Sequence, residues 1–328
     1  MRNQVWEELS RFRAPEQGVF GYRARQGLGA SLAASCDAAL ILYSTGGLEG
    51  YDLAAWAGYL NSFQDAATGW FQDDGSAWVT PLRVQPWLFG LVLRALNALH
   101  AQPAFRASFL KVWDTPEKMR DWICAGRDFM HLAIIWFGSA RGRYPFDDFE
   151  ATFFQALSEC REHFIPDRVA FQQVRAQHPP AAAQMILKDA FHNLFAWYAA
   201  GREVPELPLY IDWVLHEQDE NGLFFQEGTR APVYSHMDGM QMVVEFSQRT
   251  DYRGGDCCQA VERGLEAVLA ASNSEFFWRT GRVHSLLASC ETVAQAARLL
   301  RGHPLAEGPW RCVWDLRMWH LGETHFLG

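Results

Sequence analysis

The sequence predicts an all-α protein, an (α/α)6 toroid in which six helical hairpins form one closed array. Three observations predict it. First, a phrase recurs. Leu9-Ser-Arg-Phe12-Arg-Ala-Pro-Glu-Gln-Gly18-Val-Phe20 is matched by Leu60-Asn-Ser-Phe63-Gln64-Asp-Ala-Ala-Thr-Gly69-Trp70-Phe71 and by Leu215-His-Glu-Gln218-Asp-Glu-Asn-Gly222-Leu-Phe224. Gly18 and Gly69 stand 51 positions apart, and Gly69 and Gly222 stand 153 apart, three times that period. A period of this size marks an array of like supersecondary units. Second, Ala, Leu, Trp and Phe recur between the phrases at spacings of three and four, with little strand-like alternation. Third, the helical segments alternate between apolar and charged ones.

The first helix of each hairpin is expected near 2–13, 51–63, 105–118, 148–164, 206–217 and 256–271. The phrase reads as the end of such a helix and a turn. Gly18, Gly69 and Gly222 supply the positive φ that stops a helix. The aromatic two residues later folds back onto the core. Degenerate copies, Leu110-Lys-Val-Trp113, Leu157-Ser-Glu-Cys160 and Leu265-Glu-Ala-Val268, sit close to where the period predicts. A second helix follows each copy, near 28–44, 79–99, 121–138, 181–200, 233–249 and 281–301. A last helix at 309–321 is expected to close the ring beside the first.

The second helices are the more apolar, as in Ala38-Ala-Leu-Ile-Leu-Tyr43, Trp87-Leu-Phe-Gly-Leu-Val-Leu93 and Met242-Val-Val244. They are assigned to an inner ring. The first helices carry more charge (Glu7, Glu8, Arg11; Glu262, Arg263, Glu266) and are assigned to an outer one. No pair buries its apolar face alone, so the pairs stack. The segments 138–148 and 164–181 read as surface loops, and one domain spans 1–328.

Hydrophobic residues make up 49% of the 328-residue chain, enough for a large core. The net charge of -9, with no run of Lys or Arg, argues against a nucleic-acid partner. The N-terminus lacks the apolar core of a signal peptide, and no stretch of 18 apolar residues suggests a membrane span. Seven cysteines without framework spacing suit reduced thiols and a cytoplasmic location. Gly46 and Gly47 end a helix instead of opening one, and no dinucleotide fingerprint is present, so nucleotide cofactors are not expected.

The Gln-rich, Gly-then-aromatic phrase, clearest in Phe63-Gln64 to Gly69-Trp70-Phe71, resembles the repeat of the terpenoid cyclase and protein prenyltransferase superfamily. That resemblance implies an α/α toroid and a cytoplasmic enzyme that converts an isoprenoid or other apolar small molecule by carbocation chemistry. It implies no cofactor, with magnesium if the substrate is a diphosphate. Six-hairpin carbohydrate-active hydrolases and lyases share the toroid, and a toroid can also bind a ligand without catalysis.

In such a toroid the inner-helix N-termini open onto a central cavity, the default site. Three inner helices begin with similar signatures: Ser35-Cys36-Asp37, Ser235-His236-Met237-Asp238 and Ser289-Cys290-Glu291. A carboxylate in a helix's first turn caps free N–H groups. Aimed into an apolar cavity, it becomes a general acid instead. Asp238 is the first choice, because His236 and Tyr234 lie beside it. Class II cyclases carry Asp-x-Asp-Asp at this kind of helix start; each signature here keeps one acid. Asp189 and His192, three apart on one helical face, are a candidate acid–base pair, with Asn193 next to them. His131 and His284 are weaker versions of the same idea. Trp70, Trp78, Trp87 and Trp278 are candidate cavity walls for a cation or a sugar ring. Tyr234 and Arg282 are candidate substrate contacts.

Two segments invite a metal reading. Asp147-Asp148-Phe149-Glu150 is one residue off a magnesium-binding Asp-Asp-x-x-Asp and reads better as a helix cap. Asp256, Cys257 and Cys258 with His320 have the spacing of a prenyltransferase zinc site. They fall on outer helices, so no metal site is assigned.

Overall fold

The computed structural model describes residues 1–73, 81–126, 129–139, 143–160, 168–204, 206–225, 234–274, 281–300, 302–304 and 308–316. Among them the regular structure is helical, with four isolated β-bridges and no strand. The α-helices are α1 (Arg2–Arg11), α2 (Leu32–Ser44), α3 (Leu53–Asn61), α4 (Pro81–Ala98), α5 (Pro116–Cys124), α6 (Phe129–Ser139), α7 (Phe149–Glu159), α8 (Arg168–Gln177), α9 (Pro180–Ala200), α10 (Leu207–His216), α11 (Tyr234–Ser247), α12 (Gly254–Ser272) and α13 (Val283–Leu299). Short 3-10 turns lie at Pro15–Gln17, Ser108–Trp113 and Val313–Asp315.

The chain forms two compact units. The first holds Met1–Trp56 and Leu207–Leu316, together with Asp73; the second holds Ala57–Gln72 and Ala77–Glu206. In the first unit α13 packs against α11, α12 and α2, and α10 packs against α11. In the second, α6 packs against α4 and α9, α5 against α7, and α8 against α9.

The contrast between first and second helices is visible in what each buries. Every residue of α6 from Phe129 to Phe137 is buried, as is every residue of α11 from His236 to Phe246. By contrast, α1 buries Val5, Glu8 and Leu9, and α5 buries Met119 and Ile123. An all-round apolar helix must be enclosed, whereas a one-faced helix lies at the surface.

The phrase is a joint. Gln64 donates from Nε2 to the Gly69 carbonyl at 2.9 Å and to the Phe105 carbonyl at 3.0 Å, and its Oε1 accepts from the Phe105 N–H at 2.8 Å. Gln218 repeats this, donating to Gly222 at 3.0 Å and to Ala260 at 2.8 Å, and accepting from Arg263. Each amide therefore ties its own turn to a segment about one hairpin further on. Gly69 (φ 79°) and Gly222 (φ 82°) lie against the carbonyls of Arg106 and Arg263, where a Cβ would collide.

Four expectations change. In the first copy Arg13 replaces the glutamine, and the bridge runs Arg13 to Tyr22; Tyr22, not Phe20, is the aromatic buried behind the turn. Phe20 instead stacks on Trp56 with ring centroids 5.3 Å apart. The segment 164–181 contains α8, whose Phe171 is buried. The helices expected at 105–118 and 121–138 are re-divided. Thr115 caps and Pro116 starts α5, a strong helix-start pair, and Gly126 (φ 61°) follows its end. At the C-terminus, within the expected 309–321 helix, Val313–Asp315 is a 3-10 turn, and 317–321 lie outside the described residues.

Cys124, at the end of α5, and Cys160, just past α7, form a disulfide with Cα atoms 5.6 Å apart. The packing of α5 on α7 brings them together, so the expectation of reduced thiols throughout does not hold for this pair. Cys257 and Cys258 are free, and burial pushes the Cys257 thiol up to about 11.

Candidate functional site

The three acids are not helix caps. Ser31 caps α2, its Oγ accepting from the Ala34 N–H at 3.1 Å. Asp37 lies in the second turn of α2, Asp238 is past the first turn of α11, and Glu291 is deeper still in α13; none of the three helices has an acid in its first turn. All three side chains are buried, so each needs a partner other than free backbone N–H groups.

Asp37 has one. His284, on the first turn of α13, donates from Nδ1 to Asp37 Oδ2 at 3.0 Å. A carboxylate that accepts from Nδ1 fixes the tautomer, so Nε2 is the basic nitrogen of the neutral ring. The imidazole lies flat on Tyr234, the first residue of α11, with centroids 4.2 Å apart and planes 6° apart. Three helices of one unit thus meet at one ring. Asp37 is 3% exposed, whereas the His284 side chain is 31% exposed and reachable. The Asp37 Oδ1 is buried and has no hydrogen-bond partner.

On α11 the positions Tyr234, Asp238, Gln241 and Glu245 form one stripe, four, three and four residues apart. Both ends of the stripe touch α13: Tyr234 stacks on His284, and Glu245 accepts from Arg298 at 2.6 Å. Asp238 and Gln241 therefore lie along the α11–α13 seam, and both are buried. The Gln241 Nε2 has no hydrogen-bond partner. Arg282 precedes α13 as its N-cap residue, two positions from His284.

His236 plays a different part. Its Nδ1 accepts from the Phe224 N–H at 3.1 Å, and its Nε2 faces the Gly264 carbonyl at 3.2 Å, which it reaches as donor. Both ring nitrogens are spent on backbone groups, and the fully buried ring has its pKa lowered to about 4, chiefly by desolvation. Ser35 does the same work in the first hairpin, where its Oγ accepts from the Tyr22 N–H at 3.1 Å. His236 is thus the fastening between a phrase turn and its second helix, and no nitrogen is left for proton transfer.

Glu291 also faces its own unit. It accepts from Ser44 Oγ and, at 3.2 Å, from the Val313 N–H, while Cys312 Sγ lies 3.8 Å away. It holds the C-terminal segment against the end of α2, about two turns along the same α2–α13 contact from the Asp37–His284 pair.

Of the other sequence candidates, Trp70 lies flat on Phe109 at 3.5 Å and edge-on to Phe89, a packing role behind the phrase turn. Trp87 is half-buried on α4. Asp189 and His192 fall on α9, but their side chains, like that of Asn193, lie outside the described residues, as do Trp78, Trp278 and His320. Asp148 is the left-handed residue before α7, and Glu150 pairs with Arg202 at 2.7 Å, so the acids there do not converge. Asp256 pairs with Arg253 at 2.7 Å. Among the described residues no three His, Cys, Asp or Glu side chains gather as a metal site.

Compared with known proteins, the chain matches no family model, and no curated protein or solved structure is significantly similar to it.

Proposed function

We propose that the chain is an enzyme that performs acid–base chemistry on a small molecule, with His284 as the proton-transfer group and Asp37 as its positioning carboxylate. The observation that carries this is the 3.0 Å bond from His284 Nδ1 to the buried Asp37, with the ring stacked on Tyr234 and still reachable. A carboxylate behind Nδ1 holds the ring in one orientation and tautomer, leaving Nε2 as the nitrogen that exchanges a proton. Read in reverse, the same couple delivers a proton.

The architecture we infer for this enzyme is the six-hairpin toroid. The alternation of enclosed and one-faced helices supports it, and so does the packing of α13, late in the chain, on α2, early in it. Two substrate classes fit this frame. An isoprenoid cyclisation, its proton supplied by Asp238 or steered by Asp37, is what the repeat phrase suggests. Elimination or hydrolysis at a sugar ring is supported by the His284–Tyr234 pair with Arg282 nearby in the chain. The phrase residues are engaged in joining hairpins, so they support the fold and say little about the substrate.

The test is turnover of a panel of prenyl diphosphates, linear isoprenoids and uronate-containing oligosaccharides by the wild type and by Asp37→Asn and His284→Gln. The expected outcome is a loss of about 10²–10⁴-fold in rate for His284→Gln with an unchanged circular dichroism spectrum. Equal rates in the wild type and His284→Gln sink the proposal.

A further inference from the structure

Cys124 and Cys160 are the two halves of one fastening. Cys124 is the last residue of α5 and Cys160 the first after α7, and their disulfide closes a stretch of chain that contains all of α6. The other five cysteines are free thiols, so the pair is not part of an oxidised framework. Scaffolds that depend on disulfides are small and dense in them, whereas this chain has 328 residues and one such bond. The two sides of the bond differ. Cys124 is exposed, as are Ala125 and Gly126 after it, so a thiol in solution reaches that side. Cys160 is buried, and a buried thiol behaves as a small apolar group that needs no partner. The packing of α5 on α7 also has an apolar basis of its own. Met119 and Ile123 are buried on α5, and Phe149, Phe153, Ala156 and Leu157 on α7. The two helices therefore keep a contact when the bond is cut, and the bond limits how far they part.

We propose that Cys124–Cys160 is a reversible redox latch between α5 and α7. A thiolate of a dithiol reductant attacks Cys124 Sγ, the S–S bond breaks, and Cys160 leaves as a thiolate and takes a proton. The reductant's second thiol attacks the mixed disulfide and releases Cys124, so the reductant is oxidised by two electrons to its own disulfide. Glutathione disulfide closes the latch by the reverse exchange and leaves as two glutathione thiols. Once open, α5 and the end of α7 are free to lift from α6, where Phe137 lies edge-on to Phe153 of α7 with ring centroids 5.1 Å apart. The latch lies in the second unit and does not depend on the role of His284 in the first.

The experiment equilibrates the full native chain in glutathione buffers that run from fully reduced to fully oxidised. Thiols are trapped by alkylation in denaturant, and the Cys124 and Cys160 peptides are read by mass. The expected result is a pair that passes from thiols to disulfide within that range, with an unchanged far-UV circular dichroism spectrum. Amide exchange in the last turns of α5 and α7 is expected to be faster by about tenfold or more in the reduced protein. Cys124→Ser is expected to show the faster exchange in every buffer. A pair oxidised in every buffer is a permanent staple, and a pair reduced in every buffer forms no latch; either overturns the proposal. So does a loss of helical signal on reduction or in Cys124→Ser, which would make the bond a condition of folding. Exchange in α5 and α7 that is equal in the two redox states overturns it as well.

Discussion

His236 shows how a residue type that suggests catalysis can be wholly structural. It stacks on Phe224, whose N–H it accepts, and bonds to Gly264, on α12, where a Cβ would meet Met240 and His236 itself. Its folded pKa of about 4 lies below the ordinary 6.5. Above pH 6.5 the ring is neutral in both states, and the full stability is present. As pH falls from 6.5 to 4 the unfolded chain takes up a proton that the folded one refuses, so stability declines across that window and levels off below it. The decline is worth about 3 kcal/mol. His236→Gln is expected to flatten it, as measured by urea unfolding at a series of pH values. A slope unchanged in the variant assigns the titration to another group.

The same local reading that singled out His236 underrated His284. Asp238 and His236 are neighbours in the sequence, whereas Asp37 and His284 are 247 residues apart and Tyr234 stands on a third helix. No spacing within one helix signals that meeting. The likeness among Ser-Cys-Asp, His-Met-Asp and Ser-Cys-Glu was legible, but the acids' place within the helices was not, because the N-cap residues Ser31 and Arg282 lie several residues upstream of them.

At the scale of the elements, the second helices were read well. The expected 181–200, 233–249 and 281–301 correspond to α9, α11 and α13, since unbroken apolar runs bounded by turns leave few alternatives. α8 was missed because Arg168–Gln177 is mostly polar and flanked by prolines, and packs by one side only. The glutamine joints make a sharper prediction. Gln64→Ala leaves the Phe105 N–H and two carbonyls without a side-chain partner, and is expected to cost about 2–3 kcal/mol. Gly69→Ala is expected to cost at least as much, because it adds positive-φ strain to a collision with Arg106. Arg13→Ala, at the copy without the glutamine, is expected to cost about 1 kcal/mol or less, since Arg13 reaches Tyr51 from a mostly exposed position. Denaturant midpoints of the three variants check the order.

For the molecule as a whole, the C-terminal segment matters more than its irregularity suggests. The Arg311 N–H donates to the Ser44 carbonyl at 2.9 Å, and Ser44 Oγ lies 2.7 Å from the Arg311 carbonyl. Pro309 closes over Gly46, and Gln295 donates to Cys312 Sγ at 3.1 Å. Removing everything from residue 309 onward strips Glu291 of its Val313 and Cys312 neighbours and leaves a buried carboxylate short of partners. Such a chain is expected to lose about 3 kcal/mol or more, with faster amide exchange in α2 and the last turns of α13. Exchange unchanged in α2 would mean that the strap is ornamental. Among the described residues no helix is long and apolar enough to cross a membrane.

The contact between α2 and α13 also sets a schedule for synthesis. The first unit is assembled from the two ends of the chain, with roughly 150 residues of the other unit in between. While the ribosome makes that middle portion, Leu32, Leu40, Ile41 and their neighbours have no α13 to cover them. At about 5–20 residues per second, that wait lasts on the order of ten seconds or more. The buried apolar helix α2 is therefore a sticky nascent segment until α13 has been made. Long-range closure of this kind also makes refolding from denaturant slow compared with helical bundles whose partners are adjacent in sequence.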